Sequence, residues 1–196
     1  MSGLPVVPAD LPRRNSKLGQ TLGLCLLKLL GGWTIDGEVP DHKKMVIAVA
    51  PHTSNQDFFV GIAAALALDL NIRFLGKHSI FVWPVKRLLR ALGGIPVDRR
   101  HPHGVVGQVV AEFAQHQTLL LGLSPEGSRK KVEQWRSGFW HIAKQANVPV
   151  CLIGLDYKHK QLVFGPCVTV GENFADDLQQ MRLFFQQMTA KYPENA

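Results

Sequence analysis

The chain has 196 residues, 46% of them hydrophobic and 19% charged, and carries a formal net charge of +7. This length and composition suit one domain with a single core and exclude a disordered chain. The basic excess suits an anionic partner: a membrane surface, a phosphorylated substrate, an acidic carrier protein or nucleic acid.

Residues 1–14 are rich in proline and read as an irregular arm. Ser16 can cap a helix running to about Leu30, where Gly31 and Gly32 stop it. Leu18, Leu22, Leu26, Leu29 and Leu30 recur at helical spacing, flanked by Arg13, Arg14, Lys17 and Lys28. Such an amphipathic stripe can lie in a membrane interface or pack on the domain. Residues 1–30 are set apart on this basis from a domain of residues 31–196. Asp10 and the prolines make the N-terminus a poor signal peptide, and no apolar run reaches the roughly 20 residues that span a bilayer. A cytoplasmic protein, peripheral on the membrane, is expected.

Trp33 to Lys44 reads as a turn-rich approach to a buried strand, Met45 to Ala50. After a polar corner, Phe58 to Leu68 is uncharged and rich in Ala and Leu, a buried helix. A strand at Ile72–Gly76, a helix at Val85–Leu92 and a short strand at Ile95–Val97 follow, the last with a proline that suits an edge. His101 to Gly104 is a turn, Val105–His116 a helix and Thr118–Leu123 an apolar strand. A polar loop from Ser124 to Lys131 leads to a helix at Gly138–Gln145 and a strand at Val148–Leu155. Leu162–Val170 can pair as a late strand, and Phe174–Tyr192 closes the chain as an amphipathic helix. Strands alternating with helices predict a single α/β domain whose central, mostly parallel sheet is flanked by helices. Cys25, Cys151 and Cys167 are odd in number, widely spaced and set among apolar residues, which predicts buried free thiols in a reducing compartment.

Chemistry concentrates at the strand exits, where open α/β sheets bind ligands. The corner Pro51 to Phe59 carries one imidazole, His52, and one carboxylate, Asp57. A carboxylate on one ring nitrogen leaves the other free to take a proton from a substrate hydroxyl. The same residues also fit a capping box, Ser54-x-x-Asp57, that merely satisfies helix amides. The loop Ser124-Pro-Glu-Gly-Ser-Arg129 satisfies neither a nucleophile elbow, having Glu126 where the second Gly belongs, nor a phosphate loop, lacking its Lys. It retains an acid, a glycine amide, a hydroxyl and an arginine, which suit a hydroxylated, anionic substrate. Arg99 can fork two hydrogen bonds onto a phosphate. The histidines show no tight metal-ligand spacing, and the few aromatics lack a nucleic-acid-binding pattern.

Together these stretches resemble the glycerophospholipid acyltransferase family, typified by 1-acylglycerol-3-phosphate acyltransferase. Its blocks occur in order: His52 to Asp57; Lys77, Pro84 and Gly93-Gly-Ile-Pro-Val-Asp-Arg99; Ser124 to Arg129; and Val148-Pro-Val150. Ser124 and Ser128 depart from the usual Phe and Thr of the third block. The resemblance implies transfer of a fatty acyl group from acyl-CoA or an acyl carrier protein to a lysophospholipid hydroxyl, without cofactor or metal. His52 is then the general base and Asp57 its orienter. Lys77, Arg99, Glu126, Gly127, Ser128 and Arg129 bind substrate. A different lipid acceptor, hydrolysis of the thioester by the same pair, and a catalytically silent lipid binder are the alternatives.

Overall fold

The computed structural model describes residues 3–97 and 102–196, with Lys77, Pro102 and His103 described by their backbone. Among the described residues, seven strands form one sheet: β1 (Thr34–Asp36), β2 (Lys44–Ala50), β3 (Ile72–Lys77), β4 (Gly94–Val97), β5 (Leu119–Leu123), β6 (Val150–Asp156) and β7 (Gln161–Val168). Their spatial order is β1-β7-β6-β2-β5-β3-β4, and among the described strands only β6 and β7 pair antiparallel. The helices are α1 (Lys17–Leu29), α2 (Asn55–Ala67), α3 (Val85–Ala91), α4 (Pro102–Gln115), α5 (Gly138–Ala146) and α6 (Phe174–Phe185).

The apolar central strands are buried on both faces, as a helix-flanked parallel sheet requires. Met45 and Ile47 of β2 point into a core shared with α1 and α2. Val46, Ala48 and Ala50 point into a second core shared with α4, α5 and α6. The period-2 alternation of a strand thus divides one apolar run between two layers. In α1, Leu27 and Gly23 face inward. A Cβ on Gly23 would stand 2.3 Å from the Ala67 nitrogen, so only glycine permits α1 to lie this close to α2.

Some elements differ from the sequence expectation. The approach to β2 contains the edge strand β1, too short for periodicity to reveal. Helix α2 begins three residues early, because the Ser54 hydroxyl and the Asp57 carboxylate form a reciprocal capping box. The residues from Pro102, read as a turn, open α4, since proline is tolerated in a first helical turn. Helix α6 stops at Phe185, and the chain continues as a tail that crosses the corner between β2 and α2.

The expectation of buried free thiols is corrected. Cys151 and Cys167 stand directly opposite on β6 and β7 and form a disulfide, while Cys25 is free and exposed on α1. The two cysteines are 16 residues apart, and only the hairpin register brings them together. The inference of a reducing compartment loses its premise.

Candidate active site

Strands β2 and β5 are parallel neighbours, with Ala48 opposite Leu123, and β6 lies on the other side of β2, with Ala50 opposite Gly154. The chain leaving β2 turns to α2 on one face, while the chain leaving β5 turns to α5 on the other. That divergence opens the crevice at which open α/β sheets bind ligands. Three chemical segments therefore meet just past the strand ends: His52 to Asp57, Ser124 to Arg129, and Tyr157.

Asp57 is the centre of the site, its side chain only 1% exposed. Its Oδ2 lies 3.2 Å from His52 Nδ1 and accepts the Ser54 backbone N–H at 2.7 Å. Its Oδ1 accepts the Ser54 hydroxyl at 2.6 Å and the Tyr157 hydroxyl. Burial by itself would raise the Asp57 pKa, but the hydrogen bonds from His52, Ser54 and Tyr157 outweigh it and hold the carboxyl below its ordinary range. Asp57 is therefore a carboxylate at neutral pH. Tyr157 is shifted upward, by burial and by its bond to Asp57, and stays a hydroxyl donor. With Nδ1 turned to the carboxylate, His52 presents Nε2 as its second ring nitrogen.

The capping reading is realised: Asp57 caps α2 through Ser54, and the same carboxylate also contacts His52. The cap is what aims the acid.

Glu126 is 5% exposed, and both its oxygens accept the His52 backbone N–H, at 3.1 and 3.2 Å. Burial pushes its pKa up, partly offset by that N–H and by the His52 imidazole. Here Glu126 braces the His52 loop from the neighbouring strand exit. Gly127 follows with φ +66°, a left-handed conformation, and a Cβ there would meet Arg136 Cδ at 2.5 Å. The Ser128 hydroxyl accepts the Lys130 N–H at 3.1 Å, and the exposed Arg129 guanidinium donates to Asn55 Oδ1 in the first turn of α2. Lys77 closes β3 at the same sheet edge. Arg99 lies outside the described residues.

Tyr157 escaped the sequence reading. It stands 100 residues from Asp57, and only the pairing of β6 beside β2 delivers its hydroxyl. Trp33 packs edge-on against its ring, with centroids 4.7 Å apart. The tail after α6 holds the corner from outside. The Thr189 carbonyl accepts the Tyr157 N–H at 2.8 Å, Lys191 Nζ donates to Gln56 Oε1 at 2.6 Å, and the Tyr192 N–H donates to Thr53 Oγ1 at 3.2 Å.

An imidazole backed by a buried carboxylate at a sheet crevice can move a proton to or from a substrate. A family model described as Acyltransferase matches residues 34–155, which include His52, Asp57, Glu126 and Gly127. That match spans more than half of the chain, so the chain belongs to the Acyltransferase family and is an acyltransferase enzyme. The solved structure of the 1-acyl-sn-glycerophosphate (LPA) acyltransferase PlsC from Thermotoga maritima is similar in fold, with a TM-score of 0.60 and 18% identity, covering 87% of this chain and 76% of that one. No curated protein matches the chain.

Proposed function

We propose that this enzyme transfers a fatty acyl group from a thioester, acyl-CoA or an acylated carrier protein, to the hydroxyl of a lysophospholipid such as 1-acylglycerol-3-phosphate. The His52–Asp57 pair at the end of β2 is the observation that carries the reading. His52 Nε2 takes the hydroxyl proton as the acceptor oxygen attacks the thioester carbonyl. The tetrahedral oxyanion collapses, the C–S bond breaks, and the departing thiolate takes the proton back from His52. Charge on the imidazole is balanced throughout by Asp57, held in place by Ser54 and Tyr157.

Direct transfer is favoured over an acyl-enzyme by where the nucleophiles sit. Cys151 and Cys167 are tied to each other, Cys25 lies on the surface of α1, and the Ser54 hydroxyl is engaged by Asp57. Gly127 and Glu126 border the reacting centre, and the Gly127 amide is the donor proposed for the oxyanion once it leaves the Ser124 carbonyl, to which it donates at 3.2 Å. Lys77, Ser128, Arg129 and Arg99 are proposed to hold the anionic headgroup, Arg99 as a bidentate phosphate ligand. A lipid acceptor places the enzyme at a membrane surface.

Incubation with a labelled acyl thioester and a panel of lysolipids tests this. Diacyl lipid should form, and His52→Ala should slow it by about 10²- to 10⁴-fold with little change in lipid binding. Free fatty acid as the sole product would identify a thioesterase instead. No turnover of any donor would identify a lipid binder. A folded His52→Ala variant with wild-type rates would refute the mechanism.

A further inference from the structure

Among the described residues, every exposed large hydrophobic side chain except Leu183 and Tyr192 belongs to the N-terminal arm, α1, the start of α2, or residues 80–88. The opposite layer, of α4, α5 and α6, contributes only Leu183. A soluble monomer scatters such residues singly, whereas a concentration on one layer marks an interaction surface. The densest part is the knuckle that leads into α3. Ile80, Val82, Trp83, Val85 and Leu88 are 47%, 57%, 83%, 45% and 60% exposed, while Phe81 and Leu89 turn inward.

Cations are interleaved with these side chains. Lys86, Arg87 and Arg90 are exposed on α3, as are Lys17 and Lys28 on α1. Residues 11–35 and 70–97 contain no Asp or Glu at all. The two stretches are joined, because the Arg14 guanidinium donates to the Ala91 and Leu92 carbonyls at 3.0 and 2.7 Å. The entry to α1 is thereby fixed to the end of α3. The active site borders the same layer: Phe59, two positions past Asp57, is 56% exposed and packs on Phe58, which packs on Phe74 of β3.

We propose that the 80–88 knuckle, with Trp83 at its tip and Lys86, Arg87 and Arg90 around it, is a docking element that seats the enzyme on an anionic lipid bilayer. Tryptophan suits the headgroup boundary, aliphatic side chains enter the acyl region beneath it, and the cations meet lipid phosphates. An acidic protein would also meet these cations, but the exposed Val82, Trp83 and Leu88 among them favour a bilayer, which offers an anionic surface and an apolar layer together. With this seating, a lipid acceptor reaches the catalytic end of α2 along the membrane plane. The purpose of the docking rests on the lipid-acceptor reading, but the docking itself is measured without any acyl transfer.

The test is co-sedimentation of the full chain with phosphatidylcholine vesicles containing or lacking phosphatidylglycerol. Wild-type protein should bind the anionic vesicles, less so as salt rises. Trp83→Ala with Leu88→Ala should weaken binding by about tenfold or more. Changing Lys86, Arg87 and Arg90 to Gln should weaken it by about fivefold per charge at low salt, on anionic vesicles only. Circular dichroism and thermal unfolding should stay as in the wild type, since every changed side chain is exposed. Bromolipid should quench wild-type tryptophan emission, and Trp83→Phe should lose that quenching; Trp33 and Trp140 are buried, and the half-buried Trp135 packs on Phe185 in the opposite layer. Wild-type protein that ignores anionic vesicles overturns the proposal, as does unchanged binding or quenching in the variants. A dimer in gel filtration that the Trp83 variant dissociates also overturns it, since a second copy then covers the knuckle. Failure of acyl transfer with vesicle binding intact counts against the catalytic reading alone.

Discussion

Asp57→Asn separates the charge of the buried carboxylate beside His52 from its shape. All four hydrogen-bonding groups around Asp57 donate to it: the Ser54 N–H, the Ser54 hydroxyl, the Tyr157 hydroxyl and His52 Nδ1. An asparagine there must place its NH2 against one pair of them. The Oδ1 side is the tolerant one, because both of its partners are hydroxyls that can turn and accept. The amide oxygen then keeps the Oδ2 position, with the Ser54 N–H and the His52 ring still in place. The substitution should therefore preserve the cap and the tautomer while removing the charge.

Under the proposed mechanism, what is lost is the attraction between Asp57 and the imidazolium formed in the transition state. At about 4 Å between charge centres and an effective dielectric near 20, this is about 4 kcal/mol. The turnover rate should fall by about 10³-fold, with the acceptor KM little changed. Stability carries a second signature. The folded-state pKa of Asp57 is depressed, so its contribution is present above the unfolded value near 3.9 and fades as pH falls through the lower folded value. The melting temperature of Asp57→Asn should lie below wild type by a constant amount above about pH 5, and the gap should close in acid. Steady-state transfer assays and melting curves across pH check both. A folded variant within about threefold of wild-type turnover would refute the electrostatic role, and a gap that does not depend on pH would refute the assignment of Asp57 as a charged cap.

Glu126 has the opposite sign. Burial raises its folded-state pKa, so stability is fullest below the unfolded value near 4.3 and declines as pH rises through the folded value. Glu126→Gln keeps an acceptor for the His52 N–H and should melt progressively higher than wild type between acid and neutral pH; a difference that is flat across that range would show that Glu126 is not held against ionisation. Gly127→Ala places a side chain at φ +66°, which costs roughly 1–2 kcal/mol, and pushes Arg136 aside. Denaturant titration should show that loss, and wild-type stability would mean that the loop relaxes freely.

The parts of the site that were legible in sequence are local. His52 and Asp57 are five positions apart, and a strand running into a capped helix fixes their separation whatever the rest of the chain does. Glu126 and Gly127 were legible as a loop after an apolar strand, though not as the brace on the His52 amide, since that contact spans 74 residues. The capping box and the His52–Asp57 contact looked exclusive because sequence shows which residues can bond, not how many bonds one carboxylate takes. Tyr157 was invisible, being an ordinary aromatic beyond an ordinary strand.

Periodicity, composition and the polar strand exits determined by themselves that this is an α/β chain with a mostly parallel sheet and with an imidazole and a carboxylate five positions apart after its first central strand. These are properties of short windows, set by backbone sterics and by the burial of apolar side chains. Strand order and register were decided only in the tertiary structure. They placed β6 beside β2, so that Tyr157 reached Asp57, and they set Cys151 opposite Cys167. They also gathered the exposed apolar side chains of distant segments largely onto one layer. Each of these depends on which strands pair, and pairing is a competition among long-range contacts that no local stretch of sequence contains.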